Sequence, residues 1–252
     1  MSSGLHVVRA GDGPPILFIH GSAADHRTWS ILLSSGLRDR FTLVAYDRRA
    51  GVESVEDHAT DAAALVGPGP AVVVGSSFGA VIALELLRRR TDRIAGAVLI
   101  EPPLHSADGA PAVRRKFLDD FDRRAAEAGG PAAGELFLRT VLGDHAFERM
   151  PRVFQTQAMR KFAEIRADSV ALFGYPPRVD ELAAVTAPVL LLGGERSAPW
   201  YRRTLDDLHR ALPGARLEVV AGAGHMLHAE APRRFHTLLA DFAGPLLCAA
   251  PA

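Results

Sequence analysis

The sequence has a single cysteine, Cys248, and no net charge. One cysteine cannot form an intramolecular disulfide, so the fold does not depend on an oxidising compartment. The 29 lysine and arginine residues are balanced by 29 aspartate and glutamate residues, and no block rich in basic residues is present. We therefore expect neither nucleic acid nor a membrane surface as a partner.

Long apolar runs are absent as well. No apolar stretch reaches the ~18 residues that a membrane-spanning helix needs. The segment from Met1 to His6 lacks a basic region followed by a long apolar run, so no signal peptide is expected. The expectation is a soluble, cytoplasmic protein. Its 252 residues, 48% apolar and 23% charged, are typical of a globular chain with a large core in one domain or two.

Short apolar runs alternate with helical patterns along most of the chain. Runs of four to six consecutive apolar residues favour strands buried on both faces, as in a parallel sheet covered by helices. The predicted strands are Ile16–Ile19, Phe41–Tyr46, Ala71–Val74, Ala95–Ile100, Val189–Leu192 and Leu217–Val220, with Leu5–Val8 as an antiparallel edge. The helices predicted among them are Phe78–Arg90, Tyr201–Leu212 and Pro232–Phe242. This alternation predicts a doubly wound, mostly parallel α/β sheet.

The stretch from 102 to 184 interrupts the alternation. It has no strand-like run, and its patterns predict helices over Pro111–Ala128, Pro131–Leu142 and Arg152–Phe173. A helical insertion of this length predicts a cap over the sheet edge formed by the carboxyl ends of the strands. Ligands bind at that edge in open α/β sheets.

Gly75-Ser76-Ser77-Phe78-Gly79 lies between a buried strand and a helix. In that context a Gly-x-Ser-x-Gly pattern predicts a sharp turn that holds its central serine in a strained backbone conformation. The Ser77 hydroxyl would stand at a helix N-terminus, which favours developing negative charge, so Ser77 is the candidate nucleophile. A plain strand-to-helix turn is the alternative interpretation, with Ser76 one residue away from the centre of the pattern.

His225 follows the last predicted strand, in Gly224-His225. From there an imidazole can reach across the sheet edge to the nucleophile, and the ordinary histidine pKa of ~6.5 suits a base that later acts as an acid. His225 is therefore the candidate base, with His228 its nearest competitor. His105 and His145 are assigned to the cap.

The loop His20-Gly21-Ser22 follows the strand Ile16–Ile19. Two backbone N–H groups are needed to hold the oxyanion of a tetrahedral intermediate. The residue after the nucleophile, Phe78, and the loop after this earlier strand are expected to supply them, with Ser22 as the second donor. His20 is interpreted as a structural residue.

His20-Gly21, Gly75-x-Ser77-x-Gly79 and Gly224-His225, in this order, resemble the α/β-hydrolase superfamily. The resemblance covers nearly the whole chain. It implies a core over 1–101 and 185–252 and a helical cap over 102–184, inserted after the sixth strand of the sheet.

The resemblance leaves the third catalytic residue open. Many members of the superfamily carry an aspartate after the strand that follows the cap, but Ser197 stands at that position here. Glu195 could substitute from a shifted position. Glu101 is favoured instead, because it ends the strand Ala95–Ile100, where zearalenone-type lactone hydrolases carry a glutamate beside a serine nucleophile. An aspartate elsewhere stays open, although Asp47 is interpreted as a structural residue of its turn.

These residues predict a serine hydrolase that cleaves a carboxylic ester or lactone of a small, largely apolar molecule through an acyl-enzyme. A carbon–carbon bond hydrolase, a thioesterase or a cyclase could use the same residues, and a non-catalytic ligand-binding protein is the alternative outside enzymes. No cofactor and no metal site are expected, and a homodimer is left open. Trp200 is expected to face the substrate. The cap aromatics expected to line the pocket are Phe117, Phe121, Phe137, Phe154, Phe162 and Phe173.

Overall fold

The computed structural model describes residues 4–89, 93–104, 111–176 and 178–248. His105 and Arg90, which belong to the predictions above, lie outside the described residues, as do 105–110 and 177 of the predicted cap. Within the described ranges no helix is both long enough and apolar enough to cross a membrane.

Seven strands form one sheet. They are β1 Val7–Ala10, β2 Pro15–Ile19, β3 Thr42–Tyr46, β4 Ala71–Ser76, β5 Ile94–Ile100, β6 Val189–Gly194 and β7 Arg216–Val220. Their order across the sheet is β1-β3-β2-β4-β5-β6-β7. β1 is antiparallel to β3 and all other neighbours are parallel. The doubly wound, mostly parallel sheet that the sequence predicts is confirmed, and the edge strand begins two residues later than expected.

The helices lie on both faces of this sheet and in one long segment between β5 and β6. They are α1 Ser30–Leu33, α2 Val55–Leu65, α3 Phe78–Arg88, α4 Pro111–Ala128, α5 Gly130–Leu142, α6 Asp144–Arg149, α7 Arg152–Met159, α8 Phe162–Gly174, α9 Pro199–Ala211, α10 Leu227–Glu230 and α11 Pro232–Leu247. Short 3-10 turns occur at His26–Trp29, Gly36–Asp39 and Val179–Ala184.

The helical segment differs from its prediction in two respects. It follows β5, the fifth strand and not the sixth, because β1 is the only strand before β2 in the described residues. The helix predicted over Arg152–Phe173 is two helices, α7 and α8. They separate just after Met159, whose backbone packs so closely on Gly134 of α5 that a Cβ atom at Gly134 would collide with it.

Alternating side chains of the strands build a core on each face of the sheet. Leu17 and Ile19 point to one face, where they pack with α2, α3 and α9. Ile16 and Phe18 point to the other, where they pack with Trp29 and α11. Both faces are therefore closed, and the loops at the carboxyl ends of the central strands remain for function.

Candidate active site

Ser77 connects the central strand β4 to α3. Its backbone has φ 53° and ψ −122°, a left-handed region that side-chain-bearing residues rarely adopt. Its N–H donates to the carbonyl oxygen of Ile100 at 2.8 Å, which ties the turn to the end of β5. The strained serine at a strand-to-helix turn agrees with the geometry that the sequence pattern predicts.

The glycines on either side of Ser77 allow this turn to pack tightly. A Cβ atom at Gly79 would collide with the carbonyl oxygen of Ile19, and one at Gly75 would collide with the carbonyl oxygen of Gly79. Because the colliding atoms are backbone, no side-chain movement could relieve the contact. Glycine at both positions therefore lets α3 start directly against β2 and β4.

Glu101 stands beside this turn because Ser76 of β4 pairs with Ile100 of β5. Its side chain is buried, with the residue 1% exposed, and its φ of 43° is again left-handed. Oε1 accepts the N–H of Gly194 at 2.7 Å. A buried carboxylate is shielded from water, so hydrogen-bond donors such as this N–H are needed to stabilise its charged form.

The second oxygen of Glu101 holds His225. The distance from His225 Nδ1 to Glu101 Oε2 is 2.6 Å, and the imidazole is buried. An ionised carboxylate can only accept, so Nδ1 is the donor in this bond and Nε2 is the ring nitrogen that does not face Glu101. The structure thus gives His225 the orientation that a general base at Nε2 requires.

Tyr201 of α9, which the sequence analysis did not identify, contacts the same imidazole. The two rings stack with centroids 4.3 Å apart and planes 19° apart, and the phenol oxygen lies 3.2 Å from Nε2. Since the planes are nearly parallel, the oxygen reaches Nε2 from above the ring, and the in-plane lone pair is left available. Burial, together with the nearby Glu101 charge, raises the pKa of Tyr201 well above its ordinary value.

Two predicted residues lie close to this group without entering it. Ser77 is partly accessible, and among the described residues its Oγ has no hydrogen-bond partner. Hydrogen bonds between catalytic groups are often long in ligand-free structures. Trp200 is half-buried and stacks on Tyr201 at a centroid distance of 3.5 Å, so it is one ring removed from His225.

The alternative acid, Glu195, is placed elsewhere. It is exposed, and its Oε2 accepts the N–H of Gly222 at 2.8 Å. Ser197 lines a cavity of about 400 Å³ together with Glu101, and its buried Oγ has no partner in the described part of the chain. Of the two glutamates, the structure therefore brings Glu101 to His225.

The predicted oxyanion donors belong to two segments next to Ser77, the start of α3 and the loop after β2. Phe78 is the first residue of α3, where a backbone N–H has no acceptor within the helix. Ser22 belongs to the loop after β2. This loop packs closely on the turn, as shown by Gly21, where an added Cβ atom would lie 3.1 Å from the Cβ atom of Ser77. The next residue, Ala23, has φ 60°. Of the four described non-glycine residues with positive φ, Ala23, Ser77 and Glu101 lie at or just after the carboxyl ends of β2, β4 and β5, and such strain is common at functional sites.

His20 has a hydrogen bond at each ring nitrogen. Its Nδ1 lies 2.8 Å from the carbonyl oxygen of Gly21, and its Nε2 accepts the N–H of Arg48 at 3.2 Å. Burial, and then the charge of Arg48, lower the pKa of His20 well below its ordinary value. The imidazole is therefore neutral, and both of its nitrogens are engaged in hydrogen bonds.

The aromatic residues of the helical segment between β5 and β6 fall into two groups. Phe117 has its ring centroid about 6 Å from those of Phe121, Phe137 and Phe173. This cluster, with Ile165, packs against Ala23 in the loop after β2. Phe154, which is 57% exposed, and Phe162, which packs on Gly130, stand apart from it.

Three residues beside the paired strands β1 and β3 could hold a metal ion. Among the described residues, His6, His26 and Asp47 each place a ligand atom within 4.8 Å of the others. His26 already bonds Asp47, with its Nδ1 2.8 Å from Oδ1. Asp47 follows β3, which is separated from β4 by β2, so the cluster is not part of the group around Ser77.

Comparison with known proteins fits this arrangement. The model of the alpha/beta hydrolase family matches residues 16–238. The chain belongs to the alpha/beta hydrolase family. It is 30% identical to the bifunctional esterase/perhydrolase DCH of Acinetobacter calcoaceticus, over 73% of this chain and 74% of that protein. It is 26% identical to carboxylesterase YbfK of Bacillus subtilis, over 94% of this chain and 83% of that protein.

The fold of this hydrolase is likewise close to solved structures. A thermophilic esterase from Thermogutta terrifontis superimposes with a TM-score of 0.81 over 98% of this chain and 96% of its own. The two sequences are 23% identical, so this likeness concerns the fold. The sheet described above is thus the alpha/beta hydrolase fold.

Proposed function

We propose that this hydrolase cleaves carboxylic esters or lactones of small, largely apolar molecules through an acyl-enzyme on Ser77. The observation that carries the proposal is the 2.6 Å hydrogen bond from His225 to the buried Glu101, beside a strained serine at the start of α3. The esterase relatives support ester chemistry over other reactions of the family.

Acylation uses the three side chains together. Ser77 Oγ attacks the carbonyl carbon while His225 Nε2 takes its proton, and the Glu101 carboxylate stabilises the imidazolium that forms. The carbonyl oxygen becomes an oxyanion held by the N–H groups of Ser22 and Phe78. In the described part of the chain neither N–H donates to another acceptor, which leaves both for the substrate.

The same groups complete acylation and then carry out deacylation. His225 first gives its proton to the leaving alkoxide, which departs as an alcohol. A water molecule then attacks the acyl carbon, with Nε2 again accepting the proton, and a carboxylic acid is released as Ser77 recovers its hydrogen. In a lactone, the alcohol and the acid remain in one product.

The surroundings favour an apolar substrate. The cap cluster around Phe117 and Phe121 faces the loop that carries Ser22, since it packs on Ala23. Burial of an acyl chain there contributes about 25 cal/mol per Å² of apolar surface. We also propose that Trp200, half-buried beside Tyr201, contacts the substrate.

The proposal is tested with p-nitrophenyl acetate and butyrate. Ser77→Ala is expected to lower kcat by about 10⁶-fold, because it removes the nucleophile of a cooperative triad. Ser76→Ala is the matched control, since Ser76 is the adjacent serine and is buried at the end of β4; it should keep turnover within about threefold. A fluorophosphonate probe should label wild type and Ser76→Ala but not Ser77→Ala. Unchanged turnover by Ser77→Ala would refute the proposed nucleophile.

Tyr201 offers a smaller, separate prediction. Tyr201→Phe keeps the ring stack on His225 and removes the oxygen above Nε2, so kcat should change by less than about threefold. Tyr201→Leu removes the stack as well, and aromatic pairs are worth ~0.5–1.5 kcal/mol. The kcat of Tyr201→Leu should therefore fall by about tenfold, as measured by ester turnover at saturating substrate. Equal kcat values for the two variants would show that stacking does not hold the imidazole.

A further inference from the structure

Arg48, which follows β3, is the most extensively bonded buried cation near the site. Its side chain is 5% exposed, and its guanidinium binds Asp168 through both carboxylate oxygens at 2.8 and 2.7 Å. Two further donors reach backbone, since Nε donates to the carbonyl oxygen of His20 at 3.3 Å and Nη2 donates to that of Gly21 at 3.2 Å. Nη1 also lies 3.3 Å from His58 Nε2. Arg48 is therefore bonded to the loop that follows β2.

The bond to Gly21 fixes the orientation of a peptide group. The carbonyl of Gly21 and the N–H of Ser22 belong to one planar trans peptide, so they point in opposite directions. His20 Nδ1 and Arg48 Nη2 both hold that carbonyl oxygen. The N–H of Ser22, our proposed oxyanion donor, must therefore point away from Arg48.

Arg48 also contacts the residue that carries the second donor. Its guanidinium carbon lies 4.9 Å from the centroid of the Phe78 ring. The ring of His58 meets the same phenyl ring edge-on at 5.7 Å. One guanidinium thus bonds the carbonyl of the Gly21–Ser22 peptide and contacts the ring of Phe78.

The partner carboxylate connects this group to the helical segment. Asp168 lies on α8, and its side chain is 5% exposed. Two further contacts join the same segment to the loop: the cluster of Phe121 and Ile165 packs on Ala23, and Lys161 lies 3.5 Å from Asp25. The position of α8 therefore bears directly on the loop that carries Ser22.

A buried ion pair is weak evidence of stabilisation, because an apolar pair of similar volume is often as stable or more so. An apolar pair, however, could not donate to the carbonyl oxygens of His20 and Gly21. The feature that only the arginine supplies is this set of donors, which suits planar, multidentate binding.

Resting on the proposed function, we propose that Arg48 is the positioning residue of the oxyanion hole, and that Asp168 transmits the placement of α8 to it. The hole then takes its catalytic geometry only while α8 is docked. On this proposal the effect of Arg48 on catalysis passes through the Gly21–Ser22 peptide.

The test replaces the whole pair, so that no buried charge is left alone. The double variant Arg48→Met with Asp168→Leu is expected to fold, because it exchanges an ion pair for apolar groups of similar size. Loss of one oxyanion donor costs ~10²–10³ in kcat. Misorientation should lower kcat by about 10- to 100-fold, with KM within about threefold, and should weaken inhibition by a trifluoromethyl ketone to a similar extent.

The matched control is the exposed pair that joins α8 to α4, Arg166 with Asp122, whose side chains are 45% and 46% exposed. Arg166→Met with Asp122→Leu should leave kcat, KM and inhibition within about twofold of wild type. Amide hydrogen exchange across 20–24 should speed up in the Arg48/Asp168 variant and stay unchanged in the control.

The outcomes separate the two proposals. Wild-type kcat and unchanged exchange in the folded double variant would overturn the role of Arg48 and leave the esterase proposal intact. If wild type hydrolysed no ester, the proposed function would fail, and the exchange arm would still decide whether Arg48 and Asp168 order the loop. If the double variant failed to fold, Arg48→Lys would decide: it keeps the charge but has no planar fork, so unchanged kcat would overturn the role.

Discussion

Replacing Glu101 with glutamine is expected to lower kcat by about four orders of magnitude. The amide has nearly the shape of the carboxylate, so the packing around β5 should survive. Its NH₂ group can donate to Nδ1, which would move the imidazole proton to Nε2 and remove the lone pair that accepts the Ser77 proton. A triad whose acid is disabled in this way loses about 10⁴-fold in kcat.

The matched control is Glu195→Gln, the alternative from the sequence. Glu195 is exposed and binds only the N–H of Gly222 among its described hydrogen bonds, so its kcat should stay within about twofold. Ester turnover and urea unfolding would be measured for both variants. A crippled Glu195→Gln beside an active Glu101→Gln would reverse the assignment of the acid.

The free energy of unfolding is expected to fall steeply below pH 6.5. Burial lowers the pKa of three histidines: that of His58 to about 4, that of His228 to about 3, and that of His20 well below its ordinary value. The Arg48 charge adds to the effect at His58 and His20, and His225 adds to it at His228. The folded chain therefore keeps these imidazoles neutral at pH values where the unfolded chain protonates them.

Between pH 6.5 and the lowered pKa values the unfolded state binds more protons, so stability rises with pH and is lost as pH falls. Three protons correspond to a slope of up to about 4 kcal/mol per pH unit, which is large beside a typical total of ~5–15 kcal/mol. Urea unfolding at a series of pH values from 7 to 4.5 measures this slope.

His228 is the residue to change, because among the described residues neither of its ring nitrogens has a partner. His228→Leu should reduce the slope by about a third, whereas His209→Asn, at an exposed position of α9, should leave it unchanged. An identical slope in wild type and His228→Leu would show that His228 does not take up a proton on unfolding.

The strands could be predicted because their signals are local. Ile16–Ile19 and Ala71–Val74 are apolar throughout, which only a strand buried on both faces explains. The turn at Ser77 could also be predicted locally, because Gly75 and Gly79 stand beside the serine in the sequence. Helix α2 was missed although Ser54 accepts the N–H of Asp57 as an N-cap at 3.1 Å, a Ser-x-x-Asp signal that the sequence displays.

The remaining features depend on pairings that no local pattern contains. Arg48 and Asp168 lie on different elements far apart in the chain, and nothing in Asp47-Arg48-Arg49 indicates that its first arginine is buried. Tyr201 was predicted only as the start of a helix, because its stack on His225 exists only once α9 and the loop after β7 are packed. The break between α7 and α8 after Met159 has no glycine or proline from which it could be predicted.

The place of β7 at the edge of the sheet has a consequence for biosynthesis. The loop with Ser22, the turn with Ser77 and the carboxylate of Glu101 all precede the helical segment, whereas His225 follows β7, the last strand in the described part of the chain. On the ribosome, Ser77 is therefore synthesised long before His225. On our proposal the enzyme is chemically silent during translation, and hydrolysis begins only when the final strand docks.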